Sequence, residues 1–543
     1  MGRLGATAFA LAATVAPWTP LQAAKADFER CDSLRAPGGK GDGMAAPASS
    51  FGFFSGATGT QGDIAACTAA LADPRLLPQQ NVRRAHLLRA RAIARLAAGD
   101  PDGALADIDA AASATQALMP DPLFARSMGV SFTLARAAIW QAKGDRAKAA
   151  SLAQAASGAR PYAVSVQAVA AAILQQSGDP AADGASPYQS LLPLVPEALK
   201  QQFAAEVEAG HFEKAAKLYS RFSNDFPASA GTNVFLPDIR ALVFAVVTDT
   251  GAAYSYAATG KAERARSILA DARRKIDAGL RAIPGKDGVL PPPNPLAEPL
   301  NTLLSQWTTL TNARIAVAEK RPMDALNALV GNAVPVHAAG LDLLTSLRAA
   351  LPEAQRDLAP KPDGLAARLA EQRKARQLDV QALRKAFPVP ETGETLSKYK
   401  QSRRSILNGF IAAGYVPDGF RSKTDAASGI TTVEYTGQST SSPVVEEMTL
   451  LHAADLARQQ GKRGLLIVAR RDYSRMLNTT RGYGAIPVSS RPAGFKAELD
   501  VRFVDPASLP AGLEAERDRI LDAERVYADL SRIYIPPADT GAP

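Results

Sequence analysis

Two cysteines and four histidines are all that 543 residues offer a soft or borderline metal ion. Two thiols with no histidine near them fall short of the four ligands a zinc site takes, so no metal centre is expected. Aromatic residues are scarce at 6%, which favours small-residue helical packing over a β-sandwich. No run of about 18 apolar residues occurs, so no stable membrane insertion is expected. The chain also lacks G-x-S-x-G, H-E-x-x-H, a Walker loop and a dinucleotide fingerprint. Gly39-Lys40-Gly41 has the composition of a phosphate loop, but no strand precedes it and no Ser or Thr follows the lysine. No cofactor is expected.

What is present is ordinary globular material with a basic bias. Apolar residues make up 47% and charged residues 21%, with a mean hydropathy of -0.08. The formal charge is +9. Residues 361–425 concentrate it, with 13 Lys/Arg against 7 Asp/Glu. Such a segment can touch an anionic polymer or lipid surface, or it can be a solvated helix and loop. No aromatic interleaving or nucleic-acid motif accompanies it, so no nucleic-acid partner is expected.

Residues 1–26 have the form of a signal peptide: Arg3, a short apolar run from Leu4 to Val15, and small residues ending in Ala24-Lys25-Ala26. Cys31 follows Phe28-Glu29-Arg30, which is not a lipobox. Export to a periplasm is the expectation. Cys31 and Cys67 then form an even pair in an oxidising compartment and read as one disulfide, with two buried thiols as the alternative. Residues 27–62 are rich in Gly, Pro and Ser and predict an irregular lead-in.

Four stretches repeat a turn Gly followed five residues later by Ala: Gly99/Ala104, Gly144/Ala149, Gly210/Ala215 and Gly260/Ala265. Seven residues before each Gly stand Ala92, Ala137, Phe203 and Ala253, and nine after stand Ile108, Ala153, Tyr219 and Leu269. Apolar spacing of this kind predicts helical hairpins over residues 63–355. Gly178, with Asp183 in place of the Ala, adds a half-repeat. Arg83–Ala114 and Leu199–Pro227 resemble the tetratricopeptide repeat most closely. The resemblance implies a groove lined by the first helix of each hairpin, with Arg89, Gln141, Lys200, Glu208 and Tyr254 as partner-binding residues. It also implies a protein or peptide ligand. The uneven steps between turns imply insertions.

A basic helical connector is expected over 356–400, with one helix from Asp363 to Phe387. From 401 to 543 the periodicity changes to a small α/β domain. Strands are predicted over Gly429–Gly437, Gly464–Arg470 and Phe495–Val504, and helices over Val444–Gly461 and Ala523–Ile533, in βαββα order. This part resembles the small α/β envelope domain of alphaproteobacterial lipoproteins of unknown function, on Leu450-Leu451-His452-Ala453-Ala454-Asp455-Leu456 before a hydrophobic strand. The fold expected is mainly α, a tetratricopeptide-like hairpin array followed by the α/β domain.

No catalytic residue is assigned. His452 with Asp455 three positions on has a spacing that orients an imidazole, but no nucleophile accompanies it, and a solvated helix face accounts for it equally well. His86 and His337 fall in the repeats, and His211 beside a turn is expected at the surface. Glu446 and Glu447, adjacent on a helix, should diverge. Arg470-Arg471-Asp472-Tyr473 reads as a surface ion pair. The chain therefore reads as an exported binding scaffold. A structural envelope protein, or an enzyme with its site in the C-terminal domain, is the alternative.

Overall fold

The computed structural model describes residues 20–45, 63–177, 186–222, 239–280, 294–376, 378–391, 419–437, 441–480 and 487–535. Two compact units divide the chain: Met1–Leu118 with Met476–Pro492, and Met119–Arg475 with Ala493–Pro543. The protein is mainly α with a small C-terminal α/β part.

In the first unit, α1 (Pro20–Asp32) precedes α2 (Ile64–Ala72), α3 (Asn81–Ala97) and α4 (Pro101–Ala114). Residues 27–32 are thus helical rather than irregular, because Phe28 and Cys31 are buried against Cys67, Ala70, Leu76 and Leu87. The expected signal-sequence end, Ala24-Lys25-Ala26, lies within α1 just before these buried side chains. Cys31 and Cys67 are bonded, with their Cα atoms 4.7 Å apart. In the chain-entropy account, closing that loop stabilises by roughly 3–4 kcal/mol. Part of the lead-in is fixed as well: Gln80 donates to the Gly38 carbonyl at 2.7 Å and Arg83 to the Arg35 carbonyl at 3.1 Å.

The second unit begins with α5 (Pro122–Phe124), a π-helical stretch Ala125–Gly129, α6 (Val130–Ala142), α7 (Arg146–Ala159) and α8 (Val164–Ser177). It continues through α9 (Ala198–Ala209), α10 (Phe212–Tyr219), α11 (Ile239–Ala258), α12 (Ala262–Gly279), α13 (Ala297–Ala318) and α14 (Pro322–Leu329). The half-repeat at Gly178 and Asp183 lies outside the described residues.

Each of the four Gly turns closes a helix pair in the same way. Gly99, Gly144, Gly210 and Gly260 have φ of 80, 84, 86 and 76°, left-handed values that glycine adopts without penalty. At Gly144, its N–H donates to the Gln141 carbonyl and the next N–H, of Asp145, to the Trp140 carbonyl, both at 3.0 Å. This is the Schellman pairing that satisfies the last carbonyls of a helix. The residue after the Gly then caps the second helix, and its carbonyl accepts the N–H of the repeat Ala (Ala149 to Asp145, 3.0 Å). Five residues is the span between a Schellman glycine and the first bonded donor of the next helix. The four Ala are fully buried, since a larger side chain would push the helices apart.

A fifth turn obeys the same geometry without glycine. Lys320 has φ of 60°; it donates to the Val317 carbonyl and Arg321 to that of Ala316. Five residues on, Ala325 is fully buried and donates to the Arg321 carbonyl. The α13–α14 pair is therefore a hairpin of the same type.

Beyond it, α15 (Ala338–Ala350) packs on α13 and α9, followed by α16 (Pro362–Ala375) and α17 (Val380–Ala386). The single helix expected over 363–387 is two, because Arg376 takes an extended conformation and directs its guanidinium to Glu208.

The C-terminal strands are β1 (Gly419–Asp425), β2 (Ile430–Gly437), β3 (Gly464–Thr480), β4 (Pro487–Val504) and β5 (Leu521–Asp522), ordered β1-β2-β4-β3-β5. Two helices, α18 (Ser442–Gln459) and α19 (Ala523–Tyr534), complete this part. Antiparallel register pairs Val433 with Leu499 and Tyr435 with Ala497, placing one apolar face in a core with Met448, Leu451, Val526 and Leu530. Tyr162 and Leu194 enter the same core, so sheet and hairpins share a hydrophobic interior within the unit.

Lys320→Gly removes a left-handed lysine, a strain of roughly 1 kcal/mol, and is expected to raise the Tm. Gly144→Val, at a position with open space around a Cβ, is expected to lower stability by about 1–2 kcal/mol through the backbone alone. Calorimetry checks both, and a less stable Lys320→Gly would remove the reason assigned to this turn.

Candidate functional site: the helical face and its charged joint

The five residues assigned to a binding groove have different fates. Arg89 and Tyr254 are 5% and 0% exposed and offer no surface, which corrects the expectation. Arg89 turns inward to the His86 Nδ1 at 3.1 Å, and the Tyr254 hydroxyl donates to Asp342 Oδ2 of α15 at 2.8 Å. Gln141 bridges to α8, donating to the Gln176 carbonyl and accepting from Ser177 Oγ. Lys200 stands 5.8 Å from the Phe222 ring centroid. Glu208 is exposed, yet Arg376 grips it with bonds of 2.8 and 3.1 Å. Two stripes are open: Gln201 and Ala204 on α9, and Ala241, Phe244 and Val247 on α11.

The densest assembly of functional groups lies where the hairpins meet the sheet domain, and sequence spacing gave no sign of it. Glu447 on α18 is fully buried. Its Oε1 accepts Arg160 Nε at 3.1 Å and Arg126 Nη2 at 2.7 Å. Its Oε2 accepts Arg160 Nη2 at 3.0 Å and the Tyr534 hydroxyl at 2.5 Å. Arg160, also fully buried, thus forks Glu447 while its Nη1 meets the Arg126 carbonyl and Glu391 Oε1, both at 3.1 Å. Glu391 accepts from Ser441, the N-cap of α18, and its own N–H donates to Ser127 Oγ at 2.9 Å. The π stretch supplies both Arg126 and Ser127.

The four charges cancel, which makes their burial tolerable. Burial opposes ionisation of Glu447, but Arg160 and Arg126 outweigh it and hold the carboxyl below its usual range. Burial dominates at Glu391 and raises its pKa; its Oε2 is buried and accepts no hydrogen bond among the described residues. Glu446 diverges from Glu447, as adjacent helical positions must, but it too is buried. It accepts the Val164 N–H at 3.0 Å and lies 3.4 Å from Arg470. Arg470 also pairs with Asp472 at 2.6 Å, and Arg471 with Glu498 and Asp500 on the open sheet face.

The four histidines lie on or cap four different helices. His452 is buried and stacks on Phe420 at 4.4 Å, correcting the solvated-face reading; burial lowers its pKa. The sheet covers it because β1, absent from the predicted βαββα order, brings Phe420 over α18. His211 is half-buried, its Nδ1 2.7 Å from Glu206. His337 caps α15: its Nδ1 accepts the Gly340 N–H at 3.1 Å, and its ring stacks on Trp307 at 4.7 Å. Burial pushes its pKa down to about 4. Among the described residues no group of acidic, His or Cys side chains could hold a metal ion, and no helix is long and apolar enough to cross a membrane.

Comparisons with protein-family models, curated proteins and solved structures found no match.

Removing one partner of the buried fork, by Arg160→Met or Glu447→Gln, is expected to cost about 3–5 kcal/mol in urea unfolding. The double variant should recover part of that loss, and strict additivity would contradict the coupling. His337 has a folded pKa below its unfolded one, so its contribution is complete above about pH 6.5 and fades as pH falls towards 4. His337→Asn keeps a cap and should flatten the Tm against pH profile in that window. Unchanged slopes would exclude the histidine as their source.

Proposed function

We propose that this chain is an exported, tetratricopeptide-like scaffold that holds a protein or peptide partner in the bacterial envelope. The observation that carries the reading is the repeated hairpin: five helix pairs closed by one turn geometry, at Gly99, Gly144, Gly210, Gly260 and Lys320. Stacked hairpins present long helix faces, and these are surfaces for extended or helical ligands. Open stripes on α9 and α11, including exposed Phe244 and Val247, supply both polar and apolar contacts. Export is supported by the bonded Cys31–Cys67 pair, which an oxidising compartment sustains. Cleavage after Ala26 would leave Phe28 and Cys31, the first described buried side chains, in place. The reading assigns no reaction to the protein. Contact with an anionic polymer through the basic connector has less support, because Arg373 and Arg376 already engage Glu208.

Photo-cross-linkers placed at Gln201, Ala204 and Phe244 in cells should capture one common partner, and a cross-linker at the exposed Ser267 of α12 should not. The chain recovered should begin near Asp27, with its cysteines oxidised. A cytoplasmic, reduced chain would overturn export, and absence of a reproducible partner at all three positions would overturn the scaffold reading.

A further inference from the structure

The helix α16 is seated on the array by very few contacts. Of its side chains only Leu365 and Leu369 are buried. Leu365 joins the apolar core of α15, alongside Leu343, Leu344 and Leu347. Its Cδ2 would stand 3.4 Å from a Cβ at Gly340, an ordinary packing distance; it is Pro335 O and Val334 Cγ1, at 2.5 and 2.9 Å, that leave no room for a side chain there. At the other end Arg373 donates to the Glu208 carbonyl at 2.6 Å, and Arg376 forks the Glu208 carboxylate. Positions 365, 369, 373 and 376 fall on one helical face. Asp363, Ala367, Arg368, Ala370, Glu371, Gln372 and Lys374 face solvent. The N-cap, Lys361, makes no side-chain capping bond, and both ends leave the helix in extended conformations. By contrast α15 buries six residues and receives Tyr254 and Arg314 on Asp342.

The seat therefore shows its own specificity. It takes an amphipathic helix with two leucines one turn apart, followed on the same face by one arginine that caps a main-chain carbonyl of α9 and a second that forks the acidic side chain of the same residue. Glu208, one of the residues read from the sequence as groove-lining, is the acidic end of it. We propose that this seat is the docking surface for a partner helix of that chemistry, and that α16 is the intramolecular occupant which the partner displaces. The proposal rests on the scaffold reading and names the ligand class that reading leaves open. Recognition follows the helix-in-groove mode, with apolar anchors at i and i+4 and charge fixing direction.

A fluorescent peptide of residues 360–379, titrated into the full chain and followed by anisotropy, tests it. Leu369→Asp, which loosens α16, is expected to bind the peptide at least tenfold more tightly than wild type. Adding Glu208→Arg should abolish that binding, and a peptide with Arg376 alone replaced by glutamate should restore it on the Glu208→Arg background. Equal affinity for wild type and Leu369→Asp, absence of binding to both, or indifference to Glu208→Arg overturns the proposal. Hydrogen exchange on wild type guards against a misfolded variant: α16 amides should exchange at least a hundredfold faster than those of α15, and equal protection overturns displacement. Loss of peptide binding with cross-links at Gln201 and Ala204 intact would sink this inference and spare the scaffold. Peptide binding without any captured partner would do the reverse.

Discussion

The second unit depends on one buried ion pair. Arg160 and Glu447 come from positions 287 residues apart, one at the end of a repeat helix and the other on the sheet domain's central helix. Neither is exposed at all, so neither can be left alone: an uncompensated charge there would be far more costly than the pair is favourable. That asymmetry makes the fork a constraint more than an adhesive. It requires Arg126, Tyr534, Glu391 and Ser441 to arrive together, and so couples the π stretch, the connector's end and α19 to one geometry. Hydrophobic contact through Tyr162 and Leu194 brings the layers together; the charges fix their registration.

The fold was largely legible because its signals are local. Alternation in Val433 and Tyr435 and the helical run from Val444 each placed an element within a few residues of its observed bounds, while the apolar run at Leu465 and Ile467 gave the start of β3 and stopped ten residues short of its end at Thr480. The strand β1 was not visible: its outer half, Ser422 to Asp425, is exposed, so no alternation marks it. The Lys320 hairpin escaped because the residue usually chosen for a left-handed turn is missing, although the turn itself is not. Hairpin geometry belongs to the backbone, and a chain that tolerates modest strain at one residue erases the letter and keeps the shape.

The candidate site was much less legible, and for a physical reason. Tertiary charge pairs have no period. Nothing near Arg126, Arg160, Glu391 or Glu447 in sequence distinguishes them from the solvated charges around them. Helical phase could say that Glu446 and Glu447 point apart, but not that both point into protein. Arg89 and Tyr254 failed as groove residues for the same cause, since position within a repeat identifies a helix face only if nothing else packs on it. Here α15 covers the Tyr254 position, while Glu208 stays exposed with Gln175 of α8 and the arginines at the end of α16 on it.

The π stretch at Ala125–Gly129 has a consequence of another kind. One extra residue per turn offsets everything beyond it by about 100° of helical rotation, so the side chains of α6 keep their phase on the hairpin core while Arg126 and Ser127 swing to a different sector. The offset is stored in chain length. A single-residue deletion inside the stretch could leave every buried residue type unchanged and still turn the joint's two ligands away from Glu447 and Glu391. At this point the protein is specified by counting as much as by chemistry.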